Sequence, residues 1–266
     1  LAVIATNTAD HVSDGMTALE AGCDVLIEKP LAVNSTEAAR LVAASVANNR
    51  QLYVGCVLRF SASLNTFRSM LYRVGRPRAV EIECRSYLPD WRPTRPYEKS
   101  YSADPEQGGV LRDLIHEVDY AGWLFGWPES VGASLRNTGQ LGIGSEEIAD
   151  LDWLTSDGCR VTLSLDYSTR TPTRRMKAFG ESGTLEWNGI DNTVSFESAD
   201  RQTDSCESGQ SRAEMFVAQA RALVTAVTGS VDGSLATGAD GVRALAVCDT
   251  ARAASRSGSE EKVCYP

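Results

Sequence analysis

The chain has 266 residues, 42% of them hydrophobic and 23% charged, with a formal net charge of −9. That length supports one large or two ordinary domains, the acidic balance argues against a nucleic-acid partner, and no apolar run approaches the roughly 20 residues that span a bilayer. Seven scattered cysteines with no C-x-x-C pair, beside only two histidines, argue against a metal site and for free thiols in a cytoplasmic protein.

The chain opens on an apolar strand, Leu1 to Ile4. Thr6 to Asp14 supply turn and cap residues for a helix carrying Val12, Met16 and Leu19, stopped by Gly22. A second apolar strand, Asp24 to Ile27, runs straight into Glu28-Lys29-Pro30. A helix from about Ser35 shows Ala38, Leu41, Val42 and Val46 on one stripe, and a strand follows at about Leu52 to Val57. Strands alternating with helices over short loops predict a parallel sheet. Lys29 then lies at the carboxyl end of a buried strand, where open α/β sheets place ligands and chemistry, and Pro30 holds it extended.

After Arg59 the pattern changes. Ala79 to Ser86 points Val80, Ile82 and Cys84 inward and charged residues outward, as a half-buried strand does. Pro89 to Pro105 is an aromatic and basic loop, and Gly108 to Phe125 reads as a helix with Asp113 and His116 on one face. Runs near Val131, Leu151 to Thr155, Val161 to Tyr167, Arg174 to Phe179, Thr184 to Trp187 and Thr193 to Phe196 read as antiparallel strands. Glu197 to Arg212 is polar and expected to be a mobile loop, before helices near Ala213 to Thr228 and Ala239 to Ala254. The expected architecture is α/β followed by α+β: residues 1–58 with a parallel sheet, and 59–266 with a large, mostly antiparallel open sheet.

Several of these segments, in this order, resemble the Gfo/Idh/MocA oxidoreductases. The resemblance is carried by Leu1 to Asn7 with His11, by Glu28-Lys29-Pro30-Leu31, by Val54-Gly55 with Arg59-Phe60, by Gly108-Gly109 through Asp119 with Trp123 to Gly126, and by Gly180 to Leu185. It implies a Rossmann domain bound to NAD or NADP and a second domain for substrate binding and oligomerisation. No G-x-G-x-x-G phosphate turn is present, and Gly139, Gly142 and Gly144 lack its spacing. The expectation is therefore a Rossmann domain seen without its first two βαβ units. The implied reaction is hydride transfer between the nicotinamide and a secondary hydroxyl of a sugar, inositol or sugar derivative. A non-catalytic sugar-binding or sensing protein of the same fold is the alternative.

The resemblance places Thr6, Asn7, His11, Glu28, Lys29 and Pro30 at the cofactor. For Thr6 and Asn7, ordinary helix capping is an equal reading. Burial beside a positively charged nicotinamide would lower the Lys29 pKa toward a proton shuttle's range. Asp113 and His116 are implied as substrate contacts and, with Lys29, as the catalytic group. The family's commoner spacing for that pair is four residues, so which of Lys29 and His116 is the principal base stays open. A core histidine tied to Asp113 is the plain alternative. Arg59, Trp91, Arg92 and Tyr101 complete the expected substrate contacts. Aromatic rings stack on sugar faces, and Arg92 or Arg95 could hold a carboxylate or phosphate, although a proline-stiffened surface loop explains the same residues. A homodimer or homotetramer through the second sheet is expected.

Overall fold

The computed structural model describes residues 1–230 and 232–266. Strands β1 (Ala2–Ile4), β2 (Val25–Glu28) and β3 (Leu52–Gly55) form a parallel sheet in that order, connected through helices α1 (His11–Glu20) and α2 (Ser35–Ala47). Val25, Leu26 and Ile27 are all buried, as expected for a strand covered on both faces. Asn34 caps α2 by accepting the Glu37 N–H at 2.8 Å, a contact worth about 1 kcal/mol. Gly15 lets α1 approach closely: a Cβ there would sit 2.7 Å from Leu41 and 2.9 Å from Ile27.

Helix α3 (Ala62–Met70) leads into β4 (Pro77–Arg85), α4 (Leu88–Trp91), α5 (Val110–Asp113) and α6 (Ile115–Phe125). Strands β5 (Ser130–Arg136), β6 (Ile148–Leu154), β7 (Arg160–Asp166), β8 (Thr173–Gly180), β9 (Gly183–Asn188), β10 (Thr193–Ser198) and β11 (Thr203–Glu207) follow. The chain closes with α7 (Arg212–Val227), α8 (Gly238–Ser257) and β12 (Glu261–Lys262). The second sheet has nine strands in the order β11-β10-β9-β8-β4-β7-β6-β5-β12, antiparallel except for β4 beside β7. Alternation sets its two faces. Val80, Ile82, Leu163, Leu165 and Met176 are buried on one. The other carries ion pairs such as Arg136–Asp150, Arg160–Asp152 and Lys177–Glu186.

Three departures from the sequence reading matter. The helix expected over 108–125 is broken at Leu114, whose φ of −94° and ψ of 27° end α5 before α6 begins. The stretch expected as a mobile loop, 197–212, contains β11, an exposed edge strand in register with β10. Its sequence Thr-Asp-Ser-Cys-Glu has no apolar alternation, so periodicity could not reveal it. Residues near 236 also return to the first sheet: the Val54 N–H donates to the Ala236 carbonyl at 2.9 Å, and Tyr53 pairs with Thr237. One hydrophobic cluster accordingly runs from Ile4 to Val263 through both sheets. Among the described residues no helix is long and apolar enough to cross a membrane.

Candidate active site

Lys29 leaves the carboxyl end of β2 and reaches the end of α5, where its Nζ donates to the main-chain carbonyl of Asp113 at 2.7 Å. The broken helix makes that acceptor accessible. At the break the Glu117 N–H turns to the Leu114 carbonyl at 3.0 Å rather than to the carbonyl four residues back, that of Asp113. The Gly108-Gly109 pair sets the approach to α5. Gly109 has φ +93°, and the Glu146 carboxylate occupies the space a Cβ would need. Arg252 fastens this corner by donating to the Gly108 carbonyl and to Glu146.

Asp113 is 3% exposed. Its Oδ2 accepts the Tyr167 hydroxyl, while its Oδ1 is buried without a partner. Burial first, and then the Asp113 charge, push the Tyr167 hydroxyl well above its ordinary pKa, which keeps it a donor. Tyr101 is raised by the same two causes, so it too stands beside this carboxylate. The His116 Nδ1 is likewise buried without a partner. Burial, and then the charges of Lys29, Arg174 and Arg212, hold its imidazole well below the usual histidine range. A neutral imidazole, a carboxylate with one free oxygen and a lysine ammonium thus converge across the break. Each unpartnered buried group costs about 1–3 kcal/mol, the kind of local expense that functional sites carry.

A cavity of about 360 Å³, walled by Trp91, Arg92, Arg95, Lys99 and Tyr101 and reached by Asn7 from the end of β1, lies on the far side of Tyr101 from Asp113. Trp91 meets Tyr167 edge-to-face at 5.3 Å and anchors its indole N–H on the Ser86 hydroxyl at 2.9 Å. Tyr101 and Tyr167 therefore connect the cavity to Asp113. Among the described residues no group of three His, Cys, Asp or Glu is placed to hold a metal ion.

Two of the expected contact residues are engaged within the protein. His11 is buried, with Nδ1 2.9 Å from the Pro30 carbonyl and Nε2 3.3 Å from the Thr6 carbonyl, so both ring nitrogens face main chain. Arg59 is 2% exposed, and all its nitrogens are engaged: Nε and Nη2 with Asp119 at 2.9 and 2.6 Å, and Nη1 with Asp240 at 3.4 Å. It ties α6 and α8 to the segment after β3, with each of its nitrogens turned to a carboxylate within the protein. Pro30 is buried, and its carbonyl serves His11. Thr6 spends its hydroxyl on Asp14, and neither Asn7 nor Asp10 caps a helix through its side chain. Glu28 lies against Gly55, where a Cβ would come within 3.0 Å of its carboxylate. Trp91, Arg92 and Tyr101 are gathered at the cavity, and Lys29, Asp113 and His116 at the break. Tyr167 escaped the sequence reading. Its inward phase with Val161, Leu163 and Leu165 was a usable signal, because a buried tyrosine hydroxyl requires a partner.

These residues suit a nicotinamide ring in part. Asn7 follows the carboxyl end of β1 and lines the cavity, while Lys29 follows the carboxyl end of β2 and bonds to Asp113.

Residues 1–56 match a family model described as an oxidoreductase family with an NAD-binding Rossmann fold, and residues 72–186 match the GFO/IDH/MocA C-terminal domain. The chain is 26% identical over 193 residues to UDP-N-acetylglucosamine 3-dehydrogenase of Acidithiobacillus ferrooxidans, a match covering 72% of this chain and 56% of that protein. It is 30% identical over 139 residues to inositol 2-dehydrogenase 4 of Saccharopolyspora erythraea, covering 51% and 37%. The fold superposes on levoglucosan dehydrogenase in complex with NADH and levoglucosan with a TM-score of 0.88 at 17% identity, over 98% of this chain and 79% of that one. The chain thus spans roughly half, or less, of the length of these two relatives by sequence. With the two family models matched in succession along one continuous fold, the chain belongs to the GFO/IDH/MocA family of oxidoreductases.

Proposed function

We propose that this chain carries the catalytic and substrate-binding part of an NAD- or NADP-dependent dehydrogenase acting on a secondary hydroxyl of a sugar, inositol or sugar derivative. The observation that carries the reading is the gathering of Lys29, Asp113 and a neutral His116 with an unpartnered ring nitrogen at one helix break, which Tyr101 links to a cavity with aromatic walls. The nicotinamide supplies the hydride acceptor when bound. The chain's own residues then have distinct tasks. His116 is held neutral and accepts the hydroxyl proton. Lys29, fixed by the Asp113 carbonyl, donates a hydrogen bond to the same oxygen and stabilises developing negative charge. The free Oδ1 of Asp113 accepts from a neighbouring hydroxyl and fixes the sugar's orientation, while Tyr167 holds the other oxygen. Trp91 and Tyr101 offer ring faces.

In this reading residues 1–58 serve the cofactor and residues 59–266 serve the substrate and the oligomer. The polar outer face of the nine-stranded sheet pairs subunits into a homodimer or homotetramer. Seven unpaired thiols, four of them buried, favour a reducing, cytoplasmic setting.

The test is reduced-nicotinamide absorbance with the whole protein and a panel of polyols. At least one should give turnover, and Lys29→Ala should lower it at least about tenfold while nicotinamide affinity changes little. Sugar binding with no absorbance change for any panel member would instead favour the binding-only reading.

A further inference from the structure

We infer that the substrate carries an oxyanion substituent, a carboxylate or a phosphate, which Arg92, Arg95 and Lys99 hold while its reacting hydroxyl lies at Lys29 and His116. The second half of that statement rests on the proposed dehydrogenase reading; the first rests on the cavity alone.

Three cations and no carboxylate line this cavity, in a chain with 35 acidic and 26 basic residues. Acidic partners are in excess, and several other exposed arginines have taken them, among them Arg78 with Glu181, Arg136 with Asp150 and Arg160 with Asp152. Among the described residues, the side chains of Arg92, Arg95 and Lys99 make neither an ion pair nor a hydrogen bond. A positive cluster left free in an acidic protein, facing a hollow, is a site for negative charge.

The loop that bears the cations is stiffened beforehand. Pro89, Pro93, Pro96 and Pro105 restrict it, and turns close through Arg95 N–H to the Arg92 carbonyl at 2.9 Å and Lys99 N–H to the Pro96 carbonyl at 3.2 Å. Less ordering is then left for the moment of binding. Guanidinium forks match the paired oxygens of carboxylate and phosphate.

Position joins this end to the other. Tyr101 lines the cavity, stands near Arg92 and Asp113, and so lies between the cation group and the reacting end. An oxyanion at the cations would pull the sugar across Trp91 toward Asp113, fixing which hydroxyl is presented.

The test is calorimetric titration of the whole protein, without nicotinamide, with inorganic phosphate, D-glucuronate and neutral D-glucose. Wild type should bind one of the two anions saturably and at least about tenfold tighter than glucose. Arg92→Gln and Arg95→Gln should each weaken that binding about tenfold, and adding Lys99→Gln should abolish the preference, with thermal unfolding unchanged because all three side chains are exposed. The tighter anion identifies the substituent. Absence of saturable anion binding, equal affinity for glucose, or a preference surviving the triple substitution overturns the inference. Lys29→Ala should retain anion binding. If that variant also retains turnover, the dehydrogenase assignment falls while the anion site stands.

Discussion

Arg59 and Asp113 both lie in nearly dry surroundings, yet their neighbourhoods are built to opposite rules. Around Arg59 every guanidinium nitrogen meets a carboxylate, and Asp119 has both oxygens engaged. Around Asp113 one oxygen is satisfied and the other is not, and three residues on His116 repeats the pattern with its ring nitrogen. A complete set of partners makes a joint, and an incomplete one makes a receptor. On the proposed function, the difference separates residues that hold the fold from residues that meet the substrate, although both groups combine cations and carboxylates from distant parts of the chain.

Substitution should separate the two neighbourhoods cleanly. Lys29→Ala should reduce turnover at least about tenfold with little change in the denaturant midpoint; a variant that unfolds early but turns over normally would erase the distinction. Arg59→Ala should do the reverse. Removing one partner of a buried pair costs about 3–5 kcal/mol, so equilibrium unfolding should shift by that amount while kcat of the remaining folded protein stays near wild type. A large kcat effect there would return Arg59 to the site. Tyr167→Phe sharpens the contrast. It withdraws the Asp113 Oδ2 donor, which should raise KM several-fold and cost about 1–3 kcal/mol; an unchanged KM would make Tyr167 a packing residue only.

The smallest effect is in pH. Burial keeps His116 neutral in the folded chain, whereas unfolded histidine titrates near its ordinary value of about 6.5. Below that pH the unfolded state binds the extra proton, so His116 makes stability fall as pH drops through about 6.5 and leaves it unaffected above. His116→Gln should flatten that part of the wild-type stability profile. Parallel pH profiles for the two proteins would show that the imidazole is not shielded.

Local pattern revealed a good deal of this. Alternation at Val80, Ile82 and Cys84 announced a one-sided sheet, and Lys29 after an apolar strand announced a sheet-end amine. What local pattern could not carry is pairing across the chain. Arg59 looked like a free cation because its partner Asp240 lies 181 residues away. His11 looked like a ligand contact because nothing near it in sequence shows that two main-chain carbonyls flank its ring. Asp113 and His116 were read as one helix face, and the break between them surfaced only with the tertiary bonds made by Lys29 and Glu117.

The last long helix has a mechanical consequence. α8 packs against α2 and β3 on one side and against α6 and β5 on the other, and the residues just before it are stitched to the first sheet by the Val54 and Tyr53 bonds. Contacts of this kind oppose jaw-like opening between the two sheets. On the proposed function, selection among substrates would fall to the proline-braced stretch bearing Trp91 and Arg92 at the cavity's edge.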